Sequence, residues 1–274
     1  MRPFRSLLFV PGTRADRFEK ALASGADAVV FDLEDSVEPT QKARARERVG
    51  EFLAATPAGS VLRFVRVNAA RSATWAAELE FFARHRAFDA IVLPKAASAA
   101  IVEEVAHTID TPVLPLLETA QGILHAAAIA AASAVVPALL FGAEDLTAEL
   151  GITRTIDGEE LALARSTVVL AAAAAGADAI DAVFVDLNDA DGLRRDCLRA
   201  RAVGFHGKMA IHPAQLEVIH DVFTPGAAEI ALARRIVAAY EEAQAGGEGV
   251  IRLEGRMVDV PVVERARRIL GRAR

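Results

Sequence analysis

Residues 28–35 read Ala-Val-Val-Phe-Asp-Leu-Glu-Asp, four apolar side chains that run without a break into Asp32, Glu34 and Asp35. A short run that is apolar at every position is a strand buried on both faces, of the kind that builds a parallel sheet with helices packed over it. The same pattern recurs along the chain. Apolar runs at 6–10, 62–67, 90–93, 113–117, 138–141, 180–185 and 208–211 alternate with longer helical stretches. Their spacing, roughly 20 to 40 residues, is that of a βα unit. Together they predict an α/β fold, a closed (β/α)8 TIM barrel.

The helical stretches carry start signals: Thr13 stands where it would cap a helix reaching Leu22, and Ser98 precedes the apolar stripe of 99–109. The first change of character comes at Thr224-Pro225-Gly226. We therefore divide the chain into a barrel at 1–223 and a C-terminal segment at 224–274. In that segment an amphipathic helix at 227–245 leads to a glycine turn at 246–249. The short runs at 250–253 and 255–261 then read as a hairpin or lid.

Composition narrows the function. Of 274 residues 53% are hydrophobic and 25% charged, which excludes disorder. Lys and Arg number 31 against 37 Asp and Glu, a net charge of -6, the wrong sign for a protein that coats nucleic acid. The alanine-rich stretches 126–134 and 170–175 fall short of the roughly 20 apolar residues that span a bilayer and read as buried helices, so no membrane partner is expected. Cys197, the single cysteine, sits mid-helix as a core residue. With no disulfide available, and with the apolar run at 6–10 stopped by Pro11 and Gly12, a cytoplasmic setting is expected.

In a parallel barrel the chemistry lies at the carboxyl ends of the strands. The residues that end the runs are Pro11-Gly12, Asp32 with Glu34 and Asp35, Arg66 with Asn68, Pro94-Lys95, Glu118, Glu144-Asp145, Asp186 and His212-Pro213. Carboxylates outnumber cations there, and such crowding calls for a bound cation. With no cysteine and one histidine nearby the donors are hard oxygens, which favours Mg2+ or Mn2+ over Zn2+. Glu118 and Asp145, ending adjacent strands, form the ligand pair; the competing reading makes one of them a helix cap or a rim ion pair. Arg66 is either a bidentate clamp for a substrate carboxylate or a buried partner of the 32–35 carboxylates. His212 is a general acid or base, or a packed and hydrogen-bonded residue. Gly12 and Thr13 would offer free backbone N–H groups to a phosphate if they open a helix. The runs Arg14, Arg17, Lys20 and Lys42, Arg44, Arg46, Arg48 are either solvated charge or the attraction for such a phosphate. Neither a Walker sequence nor GxGxxG is present.

Seven segments occur in order: FVPGTRADRFEKA, VVFDLEDSVEPTQKARAR, VRVNA, VLPKA, LLETAQGI, FGAEDL and MAIHPAQ. Across nearly the whole chain this set resembles the citrate lyase beta-subunit-like and malyl-CoA lyase family of HpcH/HpaI-type aldolases. The resemblance implies a (β/α)8 barrel that uses Mg2+ to cleave or form a carbon–carbon bond. Its substrate would be a 3-hydroxyacyl-CoA thioester such as citramalyl-CoA or malyl-CoA, cleaved to an oxo acid and an acyl-CoA. It implies Glu118 and Asp145 as metal ligands, Glu118 and Arg66 in catalysis, and Arg66 on the oxo-acid carboxylate. Pro11, Gly12, Thr13 and Arg14, with Ile211 and His212, would line the CoA thioester site. Asp32, Glu34 and Lys95 would orient these groups. Asp259, in GRMVDVP, would be the acid or base on a C-terminal lid, in a homo-oligomer, trimer or hexamer, whose lids reach neighbouring subunits. The segment LLETAQGI departs from the family's common ETARG form by placing Gln121 at the Arg position. Two rivals remain: an authentic citrate lyase beta subunit acting on a citryl thioester of an acyl carrier protein within a complex, and a catalytically silent barrel that binds CoA esters.

Overall fold

Alternation decides which face each strand residue takes, because successive side chains point to opposite sides. Leu7, Ala28, Val30, Phe64, Ala90, Val92, Leu114, Leu116, Ala138, Leu140, Ile180 and Met209 share one buried cluster with Phe4. Within each strand they fall on alternate positions, and together they fill the interior of a barrel. The structure is a computed structural model and describes residues 1–133, 135–155, 157–247 and 249–273. Its strands are β1 (Ser6–Pro11), β2 (Ala28–Asp32), β3 (Leu62–Arg66), β4 (Ala90–Leu93), β5 (Val113–Leu117), β6 (Ala138–Phe141), β7 (Asp178–Asp181) and β8 (Gly207–Ala210). Each pairs in parallel with the next and β8 returns to β1, so the expected (β/α)8 barrel is what forms.

The crossovers hold α1 (Phe18–Leu22), α2 (Lys42–Ala55), α3 (Trp75–Arg84), α4 (Ala99–Ile109), α5 (Ala120–Leu124) and α6 (Ala126–Ala130). Then come α7 (Ala143–Leu150), α8 (Ala162–Ala175) and α9 (Ala190–Val203), with α10 (Leu216–Phe223) after β8. Among the described residues no helix is long and apolar enough to cross a membrane. Met1–His220 and Asp221–Arg274 are two compact units. In the second, α11 (Ala227–Ala245) precedes an antiparallel hairpin of β9 (Ile251–Leu253) and β10 (Arg256–Val258), then α12 (Val260–Arg272). Tyr240, Val258 and Val263 form its core. Ala134 and Glu248, which belong to the expected alanine helix and glycine turn, lie outside the described residues.

Three expectations are corrected. Helix α1 does not start at a Thr13 cap: a 3-10 turn, Ala15–Arg17, precedes it, and Arg14 occupies the cap position without a side-chain bond. The cause is Gly12, whose N–H donates to Asp32 O at 2.7 Å and folds the loop onto the end of β2. A side chain at Gly12 would stand 2.8 Å from that same oxygen. Helix α8 buries Ala171 and Ala172 but leaves Leu170 exposed, so the stretch 170–175 is amphipathic rather than wholly buried. Strand β7 begins at Asp178 and ends at Asp181, although the apolar residues continue to Val185. Ladder bonding ends a strand, not hydrophobicity, so Asp181 and not Asp186 is its terminal carboxylate.

Asp181 faces the helices. It pairs in register with Lys208 of β8, whose ammonium lies 2.5 Å from Asp181 and 2.6 Å from Asp196 of α9. Arg165 of α8 bonds both carboxylates at 3.0 Å. The quartet is buried and neutral, which is how buried charge is tolerated. Cys197 lies beside it; burial pushes its thiol up to about 12, so it is an inert core residue.

Candidate active site

The inward-facing alternation continues past the barrel's apolar filling. Two residues beyond Val30, Phe64, Leu116 and Leu140 stand Asp32, Arg66, Glu118 and Gly142. Strand period alone therefore directs three charged groups and a gap to the axis at the carboxyl end. A cavity of about 440 Å³ opens there, lined by the charged Asp32, Arg66, Glu118 and Asp145 and by the apolar Phe9, Val183, Met209 and Ile211.

Asp32 and Arg66 are register partners across β2 and β3. Arg66 Nε donates to Asp32 Oδ1 at 2.6 Å and Nη2 to Oδ2 at 2.8 Å. Nη1 lies 2.8 Å from Glu34 Oε2, and the guanidinium sits 5.1 Å above the Phe9 ring. Burial acts to raise the Asp32 carboxyl, but Arg66 outweighs it and holds Asp32 below the usual range. Burial acts to lower Arg66, and Asp32 holds it above its ordinary value. The fork thus faces Asp32 rather than the open cavity, while each Nη keeps a second N–H.

Glu118 follows β5 directly and is 3% exposed. Burial, with the charges of Glu34 and Asp145, pushes its carboxyl up to about 8. Burial also raises Glu34. Lys95 answers this negative charge. Its backbone is left-handed at φ 49°, its N–H donates to Glu118 Oε1 at 2.9 Å, and its ammonium lies 2.7 Å from Glu34 Oε1 and 3.6 Å from Asp145 Oδ1. Asp145 stands in the first turn of α7, while its neighbour Glu144, which also lines the cavity, pairs with Arg154 at 2.5 Å.

Among the described residues no group of three or more Asp, Glu, His or Cys side chains converges on one metal position. Glu118 and Asp145, both hard oxygen donors, line the same cavity, and the charge of Asp145 is near enough to act on Glu118. Mg2+ is held in this way, by one or two carboxylates plus other oxygens. Burial first, and then the neighbouring carboxylates Glu34 and Asp145, disfavour the charged form of Glu118, and a bound cation would offset both.

The other sequence candidates distribute as follows. Pro11 and Ile211 line the cavity. The Gly12 N–H is spent on Asp32 O, so it is not free for a phosphate. Half-buried Thr13 shares that loop, and Arg14 pairs with Asp16 at 2.7 Å in solvent. His212 is exposed and its ring nitrogen accepts the Ala214 N–H, capping the turn Pro213–Gln215. Gln121 is exposed beside His125. Asp259 belongs to the C-terminal unit, where its carboxylate caps α12 by accepting the Val262 N–H at 3.3 Å.

Three further residues shape the site. Gly142 leaves the space that Glu118 fills, since a Cβ there would stand 2.7 Å from Glu118 Oε2. Lys42 is not solvated: it donates to the Leu33 and Glu34 carbonyls and to Asn68, tying the loop after β2 to the end of β3. Buried Gln215 accepts the Ile211 N–H and donates to Phe184 O, joining the ends of β7 and β8. Of these only Gly142 left a trace in sequence, as a glycine directly after a strand.

The sequence profile of the HpcH/HpaI aldolase/citrate lyase family matches residues 5–213. The chain belongs to this family. It is 41% identical to a (3S)-malyl-CoA thioesterase of Cereibacter sphaeroides over 272 residues, covering 99% of this chain and 95% of that one. It is 36% identical to a citrate lyase subunit beta of Leuconostoc mesenteroides, covering 97% and 92%. Among family members of known structure, CitE of Mycobacterium tuberculosis in complex with magnesium, acetoacetate and coenzyme A superposes with a TM-score of 0.83. The identity there is 40%, with 99% of this chain and 98% of that one covered.

Proposed function

We propose that the protein is a Mg2+-dependent carbon–carbon lyase that cleaves or forms a 3-hydroxyacyl-CoA thioester such as malyl-CoA or citramalyl-CoA. The observation that carries this reading is that Arg66, Glu118 and Asp145 line one cavity together with apolar Phe9, Val183 and Met209. CitE, bound to magnesium, a keto acid and coenzyme A, supports it.

Glu118 and Asp145 would hold the metal. When bound, Mg2+ supplies Lewis acidity to the oxygens of the substrate's hydroxyl and carboxylate. Arg66, steadied by Asp32 and Phe9, turns its remaining Nη hydrogens to that carboxylate and fixes the oxo-acid half. Phe9, Val183 and Met209 also line the cavity and would keep water from the enolate that cleavage expels. The family resemblance and its partly exposed carboxylate support Asp259 as the acid or base: cleavage takes a proton off the substrate hydroxyl and puts one on the enolate carbon, and Asp259 would carry it. The family resemblance supports a homo-oligomer in which it serves a neighbouring barrel.

Relatedness to the malyl-CoA thioesterase supports a second reading, hydrolysis of the thioester. The two differ in products. The purified protein, given Mg2+ and malyl-, methylmalyl-, citramalyl- or citryl-CoA, is expected to release an oxo acid without free thiol. Equal yields of thiol and hydroxy acid would replace lyase by thioesterase. Turnover only on a citryl group carried by an acyl carrier protein would favour a citrate lyase beta subunit.

A further inference from the structure

The carboxylate cluster holds a cation of its own. Asp32, Glu34, Asp35, Glu118 and Asp145 meet two cations, Arg66 and Lys95. Arg66 is committed to Asp32 and Glu34 and is 11% exposed. Lys95 is held less firmly: its ammonium bonds Glu34 at 2.7 Å but reaches Asp35 at 3.7 Å and Asp145 at 3.6 Å, beyond hydrogen-bond distance. About a third of both Lys95 and Asp145 faces solvent. The left-handed backbone of Lys95 is rare for a residue with a side chain, and here it lets one residue face both candidate ligands. Its N–H orients Glu118 while its ammonium screens Asp145.

We propose that Lys95 is an internal counter-ion that competes with the divalent metal: it screens Asp145 when no metal is bound, withdraws to Glu34 when one binds, and so weakens the protein's Mg2+ affinity. The inference rests on the reading that Glu118 and Asp145 hold the metal. A like charge 3.6 Å from a ligand oxygen repels an arriving cation, and only the loose Asp145 contact must break. The N–H bond to Glu118 and the Glu34 ion pair stay in place throughout.

Calorimetric titration of the full-length protein with Mg2+, and Mn2+ binding followed by electron paramagnetic resonance, test this. Lys95→Met removes the charge and keeps the bulk. Lys95→Gly removes the charge, keeps the N–H and suits the left-handed backbone, so it stands in if Lys95→Met fails to fold. Both are expected to bind Mg2+ at least about tenfold more tightly than wild type. Their metal-free melting temperatures should fall and their Mg2+-induced rises should grow. Lys95→Arg, which keeps the charge, should stay near wild type. Unchanged or weaker binding in a folded Lys95→Met or Lys95→Gly overturns the inference and leaves the metal site standing. Absence of binding in wild type and variants alike overturns the metal reading and the inference with it.

Discussion

Gly142 is required by its neighbour rather than by its backbone. Its φ of −105° suits any residue, yet a Cβ would stand 2.5 Å from Glu118 Cβ. Gly142→Ala must therefore displace the Glu118 carboxylate. We expect Mg2+ affinity to fall at least tenfold and stability to drop by about 1–3 kcal/mol, the usual cost of overpacking, read by calorimetry and thermal melts. Retained affinity would show that Glu118 is not a ligand. Arg66→Lys keeps a charge but loses the fork that grips Asp32 at 2.6 and 2.8 Å. Binding of the oxo acid should weaken far more than binding of free CoA, and equal losses would contradict a carboxylate-holding role. Asp32, Arg66 and Glu118 were legible as positions in the sequence, because strand period is a backbone property that any apolar run reveals. Lys42 was not. Its string with Arg44, Arg46 and Arg48 looks like solvated charge, and only the tertiary path of the loop after β2 brings Leu33, Glu34 and Asn68 around its ammonium.

The pairing of β7 with β8, braced by α8 and α9, depends on the quartet Arg165, Asp181, Asp196 and Lys208. Removing one member strands a buried charge, so Asp196→Ala should cost about 3–5 kcal/mol in urea unfolding. Burial acts to raise the Asp196 carboxyl, but Lys208 and Arg165 prevail and hold it well below the usual range. A carboxyl depressed in the folded state contributes stability above its unfolded value, near 3.9, and loses it as pH falls through the folded one. Burial acts to lower Lys208, and Asp181 and Asp196 hold it above its ordinary value. Its contribution is complete below an unfolded value near 10.4 and is lost as pH rises through the folded one. The acid limb is the accessible test: the urea midpoint should fall below about pH 4, and Asp196→Asn should flatten that fall. An unchanged slope would remove Asp196 from the acid response. Sequence located the strands 90–93, 113–117 and 138–141 to the residue, since each is flanked by polar or turn residues. It misplaced β7 because 182–185 remain apolar after the ladder ends. What those residues do instead, such as Val183 lining the cavity, depends on partners distant in sequence.

Glu118, Asp145 and Arg66 belong to the barrel unit and Asp259 to the C-terminal one, so the proposed chemistry draws on residues of both units. If the assembly is a ring of like chains, as the family resemblance implies, Asp259 can serve a barrel other than its own. Testing this needs a variant that removes the acid without melting α12, and the cap bond to Val262 decides which. Alanine would lose the cap, whereas asparagine serves equally well there. Asp259→Asn should therefore keep the melting temperature of wild type while turnover falls by about 100-fold or more, the range of a lost general acid or base. Asp145→Ala chains should be inactive for a separate reason, the loss of a proposed metal ligand from their barrels. When the two variants are unfolded together in equal amounts and reassembled, half the barrels are intact and half of the neighbouring lids are intact. Their product sets recovery at about a quarter of wild-type turnover in a ring of head-to-tail contacts. Service within one chain gives no recovery, because no single chain carries both an intact barrel and an intact lid. Mixed oligomers demonstrated by co-purification of two tags, with no recovered turnover, would thus confine Asp259 to its own chain or remove it from the chemistry.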